Sequence, residues 1–361
     1  MTKLKTGLVG CGKVGHLHAK ALLCTQDSAF TAVCDREADR TEKFAATYKV
    51  KPYTDVEEMI RRENIQLLCI CTPHPLHAEL AVKAAKRGVH VLVEKPLASS
   101  LADCDAILRA AKASGVTIGM VSQRRFYTPC ARVKQAIVDG KIGKPILGTV
   151  VMYGWRDEAY YRSDPWRGSW KGEGGGVLVN QAPHQIDLLQ WYMGEVDELF
   201  GAWANLNHPY IEVEDTAIAV LRFKNGALGN ILVSNSQNPA LHAKVHVHGS
   251  NGASIGVQTD GGAMFIAGMT NIIEPPVTDL WTIPGEESLL PQWQKEESDY
   301  FLSINAIEHY HQLQVADFVQ AVITGRAPAV PAEEGRRTVE IFEALYRSER
   351  EKKPIKFPVA N

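Results

Sequence analysis

The chain has 361 residues, enough for two domains with sizeable cores. Hydrophobic residues make up 45% and charged residues 22%, the balance of a folded globular protein rather than a disordered or fibrous one. Lys and Arg (39) nearly offset Asp and Glu (41), so a net charge of -2 offers no electrostatic footprint for nucleic acid or an acidic membrane. No apolar run reaches the roughly 18 residues of a spanning helix. The start, Met1-Thr2-Lys3-Leu4-Lys5, leads into strand-like sequence without a signal h-region, so a cytoplasmic protein is expected. All seven cysteines fall in the first 130 residues with no framework spacing, as for reduced thiols in a reducing compartment.

In chain order, residues 1–122 alternate strand-like and helix-like stretches, the pattern of an α/β domain with a parallel sheet wrapped by crossover helices. Strands are predicted at Thr6–Val9, Phe30–Asp35, Gln66–Thr72, His90–Glu94 and Thr117–Ser122. Continuous apolar runs such as Leu67-Leu68-Cys69-Ile70-Cys71 suit strands covered on both faces. Thr54-Asp55-Val56-Glu57 and Ser100-Leu101-Ala102-Asp103 read as capping boxes, and Gly88 stops a helix over Ala78–Arg87. Beyond Ser122 the rhythm changes, and residues 123–361 read as a second domain. Segments at Thr216–Phe223, Ala227–Ser234 and Lys244–His248, joined by Asn225-Gly226 and Gly249-Ser250-Asn251-Gly252, predict an antiparallel meander. Residues 257–300 match no element clearly, and Ile307–Thr324 and Ala332–Glu351 read as closing helices, the last of which has the option of packing back on the first domain.

Gly10-Cys11-Gly12-Lys13-Val14-Gly15 matches G-x-G-x-x-G between a strand and a helix. Its first glycine permits the tight turn, the second a close approach of backbone to a pyrophosphate, and the third helix-on-strand packing, with the helix N-terminus facing the anion. Asp35 lies 20 residues beyond Gly15, at a strand end where a carboxylate can bond a ribose 2'-hydroxyl. Its charge repels a 2'-phosphate, which favours NAD over NADP; Arg36 beside it can accept that phosphate or stack on adenine. Gly10, Gly12, Lys13, Val14, Gly15, Asp35 and Arg36 are therefore candidate cofactor contacts.

Glu94-Lys95-Pro96 ends the fourth strand, at the sheet edge where ligands bind. A lysine there can exchange a proton with a substrate hydroxyl, and the proline can fix the loop, a cis bond being one way; a solvated strand-end lysine is the alternative. After Gly174-Gly175-Gly176, a helical reading puts Asn180, His184 and Asp187 on one face, although Pro183 can mark a helix start. The aromatic run Tyr153, Trp155, Tyr160, Tyr161, Trp166, Trp170 is either a packed core or oligomer contact, or a stacking wall for a sugar with Arg124 or Arg156 bonding hydroxyls. Cys69-x-Cys71-x-x-His74-x-x-His77 has metal-like spacing, but both cysteines sit in a buried strand, so no metal is expected.

The chain resembles the Gfo/Idh/MocA oxidoreductases over nearly its whole length, through G-x-G-x-x-G, Cys71-Thr72-Pro73 with His77, Glu94-Lys95-Pro96, Pro165-Trp166-Arg167, the stretch from Gly174 to Asp187, and Gly335-Arg336-Arg337. The resemblance implies a Rossmann domain followed by an α/β domain with a large open, mainly antiparallel sheet that mediates homo-oligomers. It implies Lys95 as the acid/base group with His184 as partner, and Thr72, Pro73, His77, Glu94 and Gln123 lining ribose and nicotinamide. Trp166 and Arg167 would approach the cofactor from the second domain. Many members carry Asp where this chain has Asn180, and an amide cannot take a proton. Members acting on C3 of glycosides or nucleotide-sugar acids resemble the Asn form more closely. The implied activity is hydride transfer from a ring carbinol of a sugar, glycoside or cyclic polyol to NAD. Asn180, Arg124, Arg156 and Tyr160 are the candidate substrate contacts. A redox-assisted glycosidase and a non-enzymatic NAD-binding regulator are the alternatives on the same scaffold.

Overall fold

The computed structural model describes residues 3–259 and 274–360, and the chain divides into two compact units, Met1–Gln123 with Ile307–Val339 and Arg124–Ala306 with Glu340–Asn361. The first unit alternates β1 (Leu4–Val9), α1 (Lys13–Cys24), β2 (Ser28–Cys34), α2 (Ala38–Tyr48), β3 (Lys51–Tyr53), α3 (Val56–Glu63), β4 (Leu67–Ile70), α4 (His77–Lys86), β5 (His90–Val93), α5 (Leu101–Ser114) and β6 (Ile118–Met120). The strands are all parallel in the order β3-β2-β1-β4-β5-β6. The chain thus reverses its winding between β1 and β4, and a crevice opens at the carboxyl ends of strands on either side of such a switch point. All four residues of β4 are buried, as their unbroken apolar run demands.

Local punctuation explains the boundaries. Asp55 caps α3 by accepting from the Glu58 amide at 2.7 Å, one residue later than the Thr54 box predicts. Ser100 caps α5 through the Asp103 amide, and Gly88 (φ 73°) follows α4 in the left-handed region that favours glycine. The short edge strand β3 had no periodic signal.

The second-domain boundary is corrected by helix α11 (Ala306–Thr324), since residues 307–339 belong with the first unit. Strand β6 would otherwise end the sheet with unpaired backbone groups. Gln314 on α11 accepts from the Ser122 amide at 2.9 Å and donates to the Met120 carbonyl at 2.8 Å, while the Met120 amide donates to Val330 O at 3.1 Å. Phe318 packs where Gly119 has no side chain; a Cβ there would lie 2.9 Å from its ring. Val315, Phe318 and Val319 join Leu8, Leu67 and Leu92 in one core.

In the second unit follow α6 (Thr128–Val138), β7 (Pro145–Tyr153), α7 (Glu158–Arg162), α8 (Val177–Asn180), α9 (Pro183–Met193), β8 (Val196–Ala204), β9 (Thr216–Phe223), β10 (Leu228–Ser234), β11 (Ala243–Gly249), β12 (Ser254–Thr259), β13 (Val277–Trp281) and α10 (Leu290–Ser303). Helix α12 (Ala332–Glu351) and β14 (Ile355–Lys356) close the chain. The eight strands run β13-β12-β11-β7-β10-β9-β8-β14, antiparallel except for β7 beside β10. The predicted hairpin between β9 and β10 is present, with Gly226 (φ 88°) at its turn, and β11 turns at Gly252 (φ 89°) to pair with β12, but the three-strand meander is corrected: β7 lies between β10 and β11, parallel to the first and antiparallel to the second. Within the unassigned 257–300, β13 and α10 are the elements the structure adds; residues 260–273 lie outside the described residues. Leu189 and Met193 of α9 press on one sheet face at Gly148, where a Cβ would come within 2.8 Å of both side chains.

Candidate active site

At the end of β1, Gly10 has φ 101°, and a Cβ on it would lie 2.6 Å from Cys71 O; one on Gly15 would lie 2.2 Å from Gly10 O. These two glycines serve the turn and the helix packing. Around Gly12 a Cβ would meet nothing within 4 Å, and no side chain caps the start of α1. Gly12, Lys13 and Val14 are exposed there, so the first amides of α1 face open space, as an anion site requires. Asp35, at the end of β2, accepts from the Cys11 amide at 2.9 Å and from Glu37 N at 3.2 Å, which locks the turn to its neighbour strand. Arg36 points outward, its side chain 84% exposed, while Arg40 lies 3.8 Å from Asp35.

The loops after β4, β5 and β6 supply the remaining candidates of this unit. The His77 ring spans two backbone carbonyls, 2.9 Å from Thr72 O and 2.9 Å from Pro96 O, and burial holds its pKa below the ordinary 6.5. It thereby ties the Thr72-Pro73 loop to the loop carrying Lys95, whose bond to Pro96 is cis. Thr72 Oγ1 and Gln123 Oε1 are buried atoms with no hydrogen-bond partner among the described residues. Polar atoms left so in a native fold await a ligand or water. They suit the ribose and nicotinamide amide of a dinucleotide laid over these strand ends, and with the open α1 N-terminus they fit NAD; bound there, it would supply the hydride acceptor.

Glu94 turns inward. Its Oε1 is 2.7 Å from His18 Nε2, and its Oε2 accepts from the Lys95 amide at 3.0 Å. His311 Nε2 lies 3.9 Å from the same Oε1. Burial pushes the Glu94 carboxyl up, but the His18 bond and charge, with His311 and Lys95, bring it from 4.5 down to about 2. Against burial, the Cys71 and Cys69 sulfurs and Glu94 hold His18 well above its ordinary value. His18 and His311 escaped the sequence reading; the available signal was a histidine three residues after Gly15, on the same face of α1.

In the second unit the predicted helix from Gly176 to Leu189 is two pieces, broken at Gln181-Ala182 before Pro183. Gln181 and Ala182 keep right-handed helical dihedrals across the break, and Pro183 starts α9, the helix start that the sequence allows. The buried Asp187 accepts from Arg125 Nε at 2.7 Å and Nη2 at 2.6 Å, a bidentate pair that leaves it a structural role. His184 is buried in the first turn of α9. Asn180 Nδ2 donates to the buried Glu173 and, at 3.2 Å, to Tyr160 Oη. That phenol oxygen also accepts from Arg167 Nη1 at 2.5 Å and Gln181 Nε2 at 3.1 Å.

The aromatic run splits between its two readings. Arg156 and Arg167 flank the Tyr160 ring at 5.1 and 4.3 Å, and Arg167 also stacks on Trp166 at 4.5 Å. Tyr161 and Trp170 are packing residues instead, the first against His208 and Tyr210, the second against Trp203 and Tyr346. Arg156 and Arg124 are both buried. Of the metal-like spacing, Cys69 is enclosed in β4 and His77 is engaged by carbonyls.

Residues 4–122 match the model of an oxidoreductase family with an NAD-binding Rossmann fold, and residues 130–255 match the GFO/IDH/MocA C-terminal domain. The chain is 30% identical over 358 residues to the myo-inositol 2-dehydrogenase of Thermotoga maritima, covering 98% of each. To the scyllo-inositol 2-dehydrogenase (NAD(+)) of Bacillus subtilis it is 25% identical over 363 residues, 99% of this chain and 97% of that one. The crystal structure of the WlbA dehydrogenase from Bordetella pertussis, in complex with NADH and UDP-GlcNAcA, superposes with a TM-score of 0.86 at 28% identity over 99% of both chains. The chain therefore belongs to the Gfo/Idh/MocA oxidoreductase family, with its NAD-binding Rossmann fold.

Proposed function

We propose that the protein is an NAD-dependent dehydrogenase that oxidises a ring carbinol of a sugar, glycoside or cyclic polyol, with Lys95 as the acid/base group. The observation that carries this is the placement of Lys95 at the carboxyl end of β5, on the same sheet edge as the open G-x-G-x-x-G turn and the unpartnered Thr72 hydroxyl. In this reading the neutral Lys95 amine takes the hydroxyl proton as the C–H hydride leaves, so alcohol and NAD become ketone, NADH and a proton. His184 is the second residue assigned to the proton's path. Thr72, Pro73, His77, Glu94 and Gln123 form or support the wall against ribose and nicotinamide, and Trp166 and Arg167 join the cofactor side. Arg124, Arg156 and Tyr160 present N–H and O–H donors to substrate oxygens, and Asn180 presents its amide oxygen to a substrate hydroxyl. The inositol dehydrogenases above support a polyol, and the UDP-GlcNAcA bound by the WlbA dehydrogenase supports a sugar acid or glycoside; C3 is the carbon we assign to the oxidation.

The outer face of β8, β9 and β10 exposes Phe200, Ile218, Val220 and Leu228, which supports a homo-oligomer formed by a second copy on this sheet. Seven free cysteines accord with a cytoplasmic setting, and no helix among the described residues is long and apolar enough to cross a membrane.

Absorbance at 340 nm with NAD and a panel of inositols, sugars, sugar acids and glycosides tests the assignment. Lys95→Ala is expected to lose at least about 100-fold in turnover while still binding NAD. Retained turnover would refute the role of Lys95. Release of aglycone without accumulating NADH would favour the redox-assisted glycosidase.

A further inference from the structure

Helix α1 and the Lys95 loop are joined through one buried carboxylate. Both oxygens of Glu94 have fixed donors: Oε1 takes the His18 Nε2 proton at 2.7 Å, and Oε2 takes the Lys95 backbone amide at 3.0 Å. The Glu94 amide itself donates to Ile70 O at 2.9 Å, so the residue is also pinned to β4. His18 is 1% exposed and stands on the helix whose first turn is the dinucleotide cradle. His311 packs edge-on against His18 with ring centroids 5.5 Å apart, and its Nδ1 is engaged by Ile307 O at 2.6 Å, so α11 holds the imidazole of His18 in place.

We propose that Glu94 and His18 are positioning residues, a buried hydrogen-bonded pair that sets the Lys95 backbone against helix α1 and so registers the acid/base amine with the nucleotide seated on that helix. This rests on the dehydrogenase reading given above. The titratable groups facing Glu94 are His18 from α1, Cys71 from the β4 end, His77 from α4, His311 from α11 and Lys95 beside it. Of these, Lys95 is the one whose proton the proposed reaction moves.

Two variants test the proposal, Glu94→Gln, which keeps the shape and loses the charge, and His18→Asn, which loses the bond. Thermal melting establishes that each is folded. Turnover is expected to fall on the order of 10- to 100-fold, the scale of an ångström-sized misplacement, with KM and the dissociation constant for NAD within about threefold of the parent value. The second readout needs no substrate: pulse labelling of amines across a pH series, with mass spectrometry of the Lys95 peptide, gives the titration of that side chain. Removing the neighbouring negative charge destabilises the ammonium, so in Glu94→Gln the labelling midpoint moves to lower pH. An unmoved Lys95 midpoint with turnover like the parent would overturn the proposal, as would a loss of NAD affinity equal to the loss of turnover, which marks a merely structural pair. If the parent protein shows no dehydrogenase activity, the reaction assignment fails, while the labelling midpoint still decides whether Glu94 acts on Lys95.

Discussion

At the scale of single residues, the substitution of Asn for Asp at 180 finds its reason in a neighbour that is not adjacent in sequence. Glu173 is 1% exposed, accepts from the Gly168 amide at 2.6 Å and receives the Asn180 amide. An Asp at 180 would set two carboxylates in one buried site, where one must keep its proton. Asn180→Asp is therefore expected to cost about 1–3 kcal/mol at pH 8. A carboxyl whose pKa is raised by folding carries no penalty below its ordinary value and an increasing one as pH rises toward the folded value. The melting temperature of the variant should approach the parent's near pH 4, about the ordinary Asp value, and fall away at pH 8; a pH-independent gap would rule the explanation out. The partner of Asn180 was not legible in the sequence, because Glu173 carried no motif.

Among the elements, α8 shows how a helix start can be set from elsewhere in the chain. Its cap position is Gly176, where a Cβ would lie 1.8 Å from Glu214 O, so no capping side chain fits. Glu214 does the capping instead, accepting from Gly176 N at 2.9 Å and Leu178 N at 3.0 Å, with Tyr346 Oη 2.9 Å away. Burial pushes its carboxyl from 4.5 up to about 7 despite those three donors. The folded state then holds a proton that the unfolded chain releases, so stability falls as pH rises from 4.5 to about 7 and levels off above. Denaturant midpoints measured across that window should lose this slope in Glu214→Gln; equal slopes in both proteins would exclude Glu214 as its source. The triple glycine pointed to the site, yet the reason for it, the close passage of the Glu214 backbone, is a contact between residues 38 apart.

For the whole molecule, the proposed assembly turns on the exposed sheet face. Phe200 pairs with Val220, and Leu228 with Arg222, so these side chains emerge from one face of β8, β9 and β10. Val220 is 60% exposed, and apolar groups gathered this way mark an interaction surface. Val220→Lys would bury an uncompensated ammonium in an oligomer, a cost of several kcal/mol. Light scattering is expected to show a homo-oligomer for the parent protein and a smaller species for the variant, with NAD binding unchanged; a monomeric parent would refute the assembly.

The residues by themselves determined the α/β alternation of the first 122 positions, the nucleotide turn, and the strands β9, β10 and β11, because periodicity, turn glycines and strand-end motifs are local signals. They determined the candidate lysine as well, since Glu94-Lys95-Pro96 follows a buried strand run. Only the tertiary structure decided that α11 completes the first unit, that Asp187 is spent on Arg125, and that His18 and His311 converge on Glu94. Each of those is a long-range pairing, made to satisfy a buried charge or an open sheet edge, and nothing in local propensity specifies which distant residue will meet that need.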